Sequence, residues 1–188
     1  MKWMDNLRPT TLEGAYGDVL EIGFGTGLNL PHYAASTTSV TGVDPMVTEG
    51  VKLVEQRIEE APFPVERSAL AADGGLPFDS GRFDCVVTTW TLCSIPKPEL
   101  ALAEMRRVLK PNGVYLFIEH GRSPKASTAA WQDRMNPTWR WFADGCNINR
   151  QIDTLIENSG FEFSSLHPFQ GKGPRIASYL FQGTAKRT

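Results

Sequence analysis

The sequence predicts an α/β fold: a mostly parallel, seven-stranded sheet with helices on both faces and an antiparallel final strand. Three observations carry this expectation. Apolar, β-branched runs alternate with segments of helical period through the middle of the chain. Val19-Leu20-Glu21-Ile22 runs into the glycines Gly23, Gly25 and Gly27, after which Leu28, Leu30 and Tyr33 fit the first turns of a helix; this is the first half of a βαβ unit. Phe161 to Leu166 and Ile176 to Gly183 are β-rich and close the chain as an antiparallel pair at one sheet edge.

With 188 residues the chain is long enough to bury one core without staples, and it divides into a short lead, 1–17, and one domain, 18–188. Hydrophobic residues make up 41% and charged residues 21%, which fits a globular domain. A net charge of −2 speaks against a nucleic-acid surface or a basic membrane-binding face. The apolar stretch Cys85 to Ile95 is too short and too polar to span a bilayer. Met1 to Asn6 has no signal-peptide core behind it, so a cytoplasmic location is expected. The three cysteines, Cys85, Cys93 and Cys146, stand in no C-x-x-C pattern, which predicts neither a disulfide framework nor a metal site.

In chain order, the lead with Pro9, Gly14 and Gly17 is too irregular for a long helix and leaves little to cover a site. A ligand site would then be open, or closed by another element or by a second copy in a homo-oligomer. The glycine turn suits a ligand lying against bare backbone. A dinucleotide turn reads G-x-G-x-x-G, but Leu28 stands where its third glycine belongs. Glu21 beside the turn repels a diphosphate and attracts an ammonium.

Ser39 to Asp44 is the second strand, ending in an acid placed to accept from two ribose hydroxyls or, alternatively, to cap the next helix. Pro45 starts that helix, Met46 to Glu60, with Val47, Val51, Val54 and Ile58 on one face. Val65 to Ala69 is the third strand, and Phe83 to Trp90 the fourth, apolar enough for burial on both faces. Its carboxyl end places Thr89, Trp90 and then Thr91-Leu92-Cys93 where open α/β sheets bind ligands. A helix follows from Pro98 to Lys110, with Leu100, Ala103, Val108 and Leu109 inward, stopped by Pro111-Asn112-Gly113. Val114 to Ile118 is the fifth strand and delivers Glu119 and His120 to the same edge. Residues 123–145 carry Trp131, Trp139, Trp141 and Phe142 around Asn136; they form either a cover over an acceptor or an amphipathic helix packed on the sheet. Asn149 to Gly160 is the last helix.

Glu21-x-Gly23-x-Gly25-x-Gly27 closely resembles the first motif of class I S-adenosylmethionine (SAM)-dependent methyltransferases, whose fold is Rossmann-like. The resemblance implies that Glu21 places the methionine end of SAM, the three glycines pass beneath it, and Asp44 with Pro45 and Met46 holds the ribose. It also implies an acid on the adenine amino group, before Leu76-Pro77-Phe78. Asp73 with Gly74 is the candidate, one residue closer to that motif than usual, with Ala72 in the customary place; a solvated turn acid is the other reading. Thr89 and Trp90 would complete the cofactor side. Leu76-Pro77-Phe78, Phe83-Asp84 and Glu104 to Gly113 are similar to the small-molecule methyltransferase domain related to the ubiquinone and menaquinone enzymes, over residues 18–120. Leu92-Cys93-Ser94-Ile95, Glu119-His120, Trp131-Gln132-Asp133, Asn136-Pro137, Trp139 and Asp144-Gly145-Cys146 with Arg150 resemble the methyltransferase-like protein 7 group and its bacterial relatives. Members of that group methylate thiols, and the animal proteins add an N-terminal membrane anchor not expected here. This implies an acceptor pocket at Cys93, Trp131, Asn136 and Trp139.

Methyl transfer from a sulfonium is an in-line displacement in which alignment and exclusion of water contribute up to about 7–11 kcal/mol. It demands no metal. A thiol acceptor must ionise, and His120 is the candidate base, with a structural hydrogen bond as its alternative. Cys93 either lines the acceptor pocket or packs; Cys93 with Cys146 also suggests metalloid binding or thiol exchange. Two further classes stay open, a nicotinamide-dependent oxidoreductase and a non-catalytic or partner-completed SAM-binding protein.

Overall fold

A computed structural model describes residues 2–44, 51–71 and 75–188. Two short helices, α1 (Lys2–Asp5) and α2 (Arg8–Leu12), precede β1 (Gly17–Ile22). There follow β2 (Thr37–Asp44), α3 (Lys52–Glu59), β3 (Val65–Ala69), β4 (Phe83–Thr89), α4 (Pro98–Val108) and β5 (Leu109–His120). The chain ends with α5 (Ala126–Phe142), α6 (Ile152–Asn158), β6 (Phe161–Gln170) and β7 (Tyr179–Arg187).

The seven strands lie in the order β3-β2-β1-β4-β5-β7-β6. Pairing is parallel from β3 through β5, and β7 runs antiparallel to both of its neighbours. The strand order reverses between β1 and β4, so a crevice opens beyond their carboxyl ends. Alternate residues of the central strands feed two cores. Leu20, Val86, Tyr115 and Phe117 pack with Leu102, Met105 and Val108 of α4 and Ile152 and Ile156 of α6. Val19, Val40, Cys85, Val87 and Leu116 pack with Leu12 of α2 and Val54 of α3 on the other face. Each fully buried large side chain stabilises by about 1.5–3 kcal/mol, which makes β1, β4 and β5 the rigid base of the crevice.

The helix expected after the glycine turn is reduced to a single 3₁₀ turn, Leu30–His32. The bonds there run three residues back, Leu30 N–H to Gly27 O and His32 N–H to Asn29 O. Tyr33 leaves that turn with an extended backbone, ψ 140°, and so carries its hydroxyl back to Glu21. The inner face of α4 is Leu102, Met105 and Val108, whereas Leu100 is 62% exposed. The expected placing of Leu100 and Ala103 inward was therefore on the wrong side of the helix, and three-residue spacing from Leu102 defines the buried stripe. Pro111-Asn112-Gly113 lies within β5, which begins directly after α4 and absorbs the tripeptide at a register shift against β4. The lead is more ordered than expected, since α2 packs Leu12 into the core and buries Arg8. Among the described residues no helix is long and apolar enough to cross a membrane.

Candidate functional site

All three glycines of the first turn have positive φ, 78° at Gly23, 55° at Gly25 and 72° at Gly27, yet they are glycines for different reasons. A Cβ on Gly23 would overlap the Thr91 side chain, and one on Gly27 would press on Leu30 at 3.2 Å and Phe24 at 3.3 Å. Among the described residues, a Cβ on Gly25 would meet only Gly23 O, at 4.0 Å. Gly25 thus turns a bare backbone face to open space. Its N–H donates to Asp44 Oδ2 at 2.9 Å, so the acid at the end of β2 holds the loop while its carboxylate keeps further lone pairs. Burial pushes the Asp44 carboxyl up, against the pull of that N–H.

Glu21 is buried, and its oxygens are taken by protein donors: Asn29 Nδ2 at 2.8 Å and Tyr33 OH at 2.7 Å. Burial raises its carboxyl to about 7, although both hydrogen bonds and Arg8 pull the other way. Arg8 reaches in from α2, donating to Asn29 Oδ1 at 2.6 Å and Thr89 Oγ1 at 3.2 Å. Asn29 Nδ2 also reaches Thr89 Oγ1, at 3.1 Å. The Arg8 guanidinium lies 4.9 Å from the centre of the Trp90 ring. Trp90 has φ 53°, unusual for a bulky residue, and its buried Nε1 has no hydrogen-bond partner among the described residues. Glu21, Thr89 and Trp90 are therefore brought together, joined by Arg8, Asn29 and Tyr33. Nothing in the lead marked Arg8, whose role depends on where α2 docks. Asn29 and Tyr33 carried a faint signal, two polar groups in a stretch otherwise read as an apolar helix face.

Beyond β4 and β5 a second group assembles. The buried Glu119 carboxylate accepts the N–H groups of Thr91 at 3.1 Å and Cys93 at 3.2 Å, fixing the loop after β4. His120 Nδ1 lies 3.9 Å from Cys146 Sγ, and Cys146 Sγ lies 3.5 Å from Cys93 Sγ. The proton shared with Cys146, and burial, hold the Cys93 thiol well above its ordinary range. Cys146 is the sulfur that ionises, drawn down by Cys93 first and by His120 and Trp139 as well. Trp139 packs on this cluster with Ile148 and Ala177. Asn136 does not face it as a bare pocket wall: it donates to Asn147 Oδ1 at 3.2 Å and accepts the Ile148 N–H at 3.0 Å. Trp131 stands apart, 56% exposed and against Arg134. Pro45, Met46, Asp73 and Gly74 lie outside the described residues. Leu76 and Phe78 are held by α4, where Glu104 accepts the Leu76 N–H at 2.9 Å and Arg107 donates to Phe78 O at 2.7 Å and Leu76 O at 3.0 Å.

Residues 20–117 match the model of a methyltransferase domain. The chain belongs to that family. It is a class I SAM-dependent methyltransferase domain, and the match takes in Glu21, the glycine turn, Asp44 and β4. The chain is 38% identical over 154 residues to the human thiol S-methyltransferase TMT1B, covering 80% of this chain and 63% of that protein. It is 33% identical over 132 residues to a phosphatidylethanolamine N-methyltransferase of Cereibacter sphaeroides, covering 68% of this chain and 64% of the relative. The chain thus spans just under two thirds of the length of these curated relatives. Among solved structures, the [4+2]-cyclase SpnF superposes with a TM-score of 0.74 at 20% identity, covering 97% of this chain and 80% of that one, a likeness of fold. The methyltransferase domain's residues fit SAM at two points. Gly25 leaves free the space that a Cβ would fill, and Asp44 borders it with an acceptor.

Proposed function

We propose that the chain transfers a methyl group from SAM to a small-molecule acceptor, with an alkyl thiol as the first class. The observation that carries this reading is the pairing of two sites on one sheet edge. The open Gly25 face with Asp44 lies beyond β1 and β2, and the sulfur and imidazole group lies beyond β4 and β5. Bound SAM supplies an activated methyl carbon. Gly23, Gly25 and Gly27 shape the floor beneath it, and Asp44 with the adjoining Pro45 and Met46 takes the ribose. Asp73 and Gly74 take the adenine edge, and Trp90 closes one wall. Glu21 acts through Asn29 and Tyr33, giving a negative environment for the ammonium end. Thr89 and Arg8 fix that network from below. Residues 123–145 form the acceptor-side insertion, with Trp139 walling off water beside Cys93 and Asn136 holding the segment after Cys146 through Asn147 and Ile148. His120 assists ionisation of the thiol. The domain, 18–188, works in the cytoplasm on a small molecule, without nucleic acid.

Calorimetry with S-adenosylhomocysteine tests the cofactor half. At a hundredfold excess over its dissociation constant, the ligand should stabilise the fold by about 2.7 kcal/mol. Mass spectrometry after incubation with SAM and a panel of alkyl thiols, phenols and amines tests the acceptor half. Absence of any thermal shift at millimolar ligand would sink the SAM site; methylation of a phenol or amine with no thiol turned over would overturn the thiol reading alone.

A further inference from the structure

Cys93, His120 and Cys146 come from three separate segments: the loop after β4, the last residue of β5 and the loop after α5. Their donor atoms all lie within 4.8 Å of one another. Tetrahedral zinc, with Zn–S near 2.3 Å and Zn–N near 2.0 Å, sets two sulfurs about 3.8 Å apart and a sulfur and nitrogen about 3.6 Å apart. The corresponding separations here are 3.5 Å between Cys93 Sγ and Cys146 Sγ and 3.9 Å between Cys146 Sγ and His120 Nδ1. Shifts of a few tenths of an ångström would seat an ion, whereas a disulfide bond needs the sulfurs about 2.0 Å apart.

The donors are also held in place from behind, as a metal site requires. Asn147 donates twice to Cys93 O, from its backbone at 2.9 Å and from Nδ2 at 3.0 Å, tying the residue next to Cys146 to Cys93. Arg150 donates to the carbonyls of Leu92 and Ile95, and Glu119 takes the N–H groups of Thr91 and Cys93. The loop carrying Cys93 is thus gripped by the two segments that carry the other donors. Two buried sulfurs and one imidazole make a soft donor set that suits a thiophilic d¹⁰ ion and not magnesium or calcium.

We propose that Cys93, Cys146 and His120 bind one thiophilic divalent ion of the zinc class, whose fourth position takes the acceptor thiol. Three protein donors with one open position is the arrangement of catalytic zinc. Resting on the methyltransferase reading, this makes His120 a ligand that aids ionisation through the ion. On coordination the acceptor R–SH gives its proton to solvent, because a metal-bound thiol is deprotonated outright. A sulfur lone pair then forms the bond to the methyl carbon, while the carbon–sulfonium bond breaks and its electrons stay on S-adenosylhomocysteine.

Cobalt(II), a coloured stand-in for zinc, tests the site in reduced, chelator-treated protein. One equivalent should bind, with thiolate-to-cobalt charge-transfer absorption and tetrahedral ligand-field bands, be displaced by zinc, and change spectrum when an alkyl thiol is added. Cys146→Ser should lose part of the charge-transfer intensity, one of the two thiolates being gone, and His120→Ala should weaken cobalt binding by at least about 10–100-fold, the cost of outer-shell changes alone. Circular dichroism and S-adenosylhomocysteine affinity, both unchanged in these variants, confirm folding. Failure of reduced, folded wild type to bind cobalt or zinc stoichiometrically overturns the metal site. So does thiol methylation at full rate in metal-free protein, or a cobalt spectrum indifferent to added thiol. If S-adenosylhomocysteine does not bind the wild type, the methyltransferase reading fails instead, whatever the cobalt result.

Discussion

Gly25 and Asp44 form the smallest unit that distinguishes this site from a generic glycine turn. The glycine gives up its N–H to the acid at 2.9 Å and leaves its other face bare. Gly25→Val would put a branched side chain into that space at φ 55°, a conformation that costs a residue with a Cβ about 1–2 kcal/mol. The variant should fold, with lower stability, and bind no S-adenosylhomocysteine in calorimetry. Asp44→Ala removes both the loop anchor and the acceptor, and should weaken SAM binding by about 1.5–3 kcal/mol. Asp44→Asn should fall between, because an amide oxygen can still accept from Gly25. Wild-type affinity in all three would mean that the cofactor does not lie here.

At the scale of elements, α4 does more than cover the sheet. Its Glu104 and Arg107, paired at 2.7 Å, grip both ends of Leu76-Pro77-Phe78, so two motifs far apart in sequence form one structural unit. Lys110 at the start of β5 pairs with Asp84 of β4 at 2.7 Å, and Asp84 in turn accepts the Asp18 N–H at 3.0 Å. Arg107→Ala should cost about 1–2 kcal/mol and speed hydrogen exchange at the Leu76 amide. Exchange at β4 should be unaffected. Uniform acceleration across the sheet would show Arg107 to be a general packing residue and not a clamp on this loop.

For the whole molecule, the buried Glu21 network makes stability depend on pH. The folded carboxyl sits at about 7, raised by burial from 4.5, so the folded state binds the extra proton between those values. Its stabilising contribution is complete below pH 4.5 and is lost as pH rises through 7. Denaturant unfolding should show wild type losing up to about 3 kcal/mol more than Glu21→Gln between those limits. Parallel curves for the two proteins would mean that Glu21 is ionised throughout. Saturating S-adenosylhomocysteine, which brings an ammonium near the carboxylate, should lower the carboxyl's pKa and make its affinity rise over the same pH range.

The sequence by itself determined the alternation of strands and helices, the glycine turn and its acid, and the sheet edge to which the ends of β1, β4 and β5 are brought. These are legible because period, turn chemistry and strand direction are local properties, and Leu20, Val86 and Phe117 advertise burial wherever the chain goes. Local pattern also misled where a tertiary partner outweighed it. Asn29 and Tyr33 were drawn to Glu21, replacing the expected helix with one 3₁₀ turn, and α2 docked so that Arg8 became part of the site. The cluster of Cys93, His120 and Cys146 was the least visible, its sulfurs lying 53 positions apart in sequence and His120 and Cys146 26 positions apart. No spacing rule reaches across such intervals. Only the order of strands in the sheet, which sets β4 beside β5, and the return of the chain after α5 bring those three donors together.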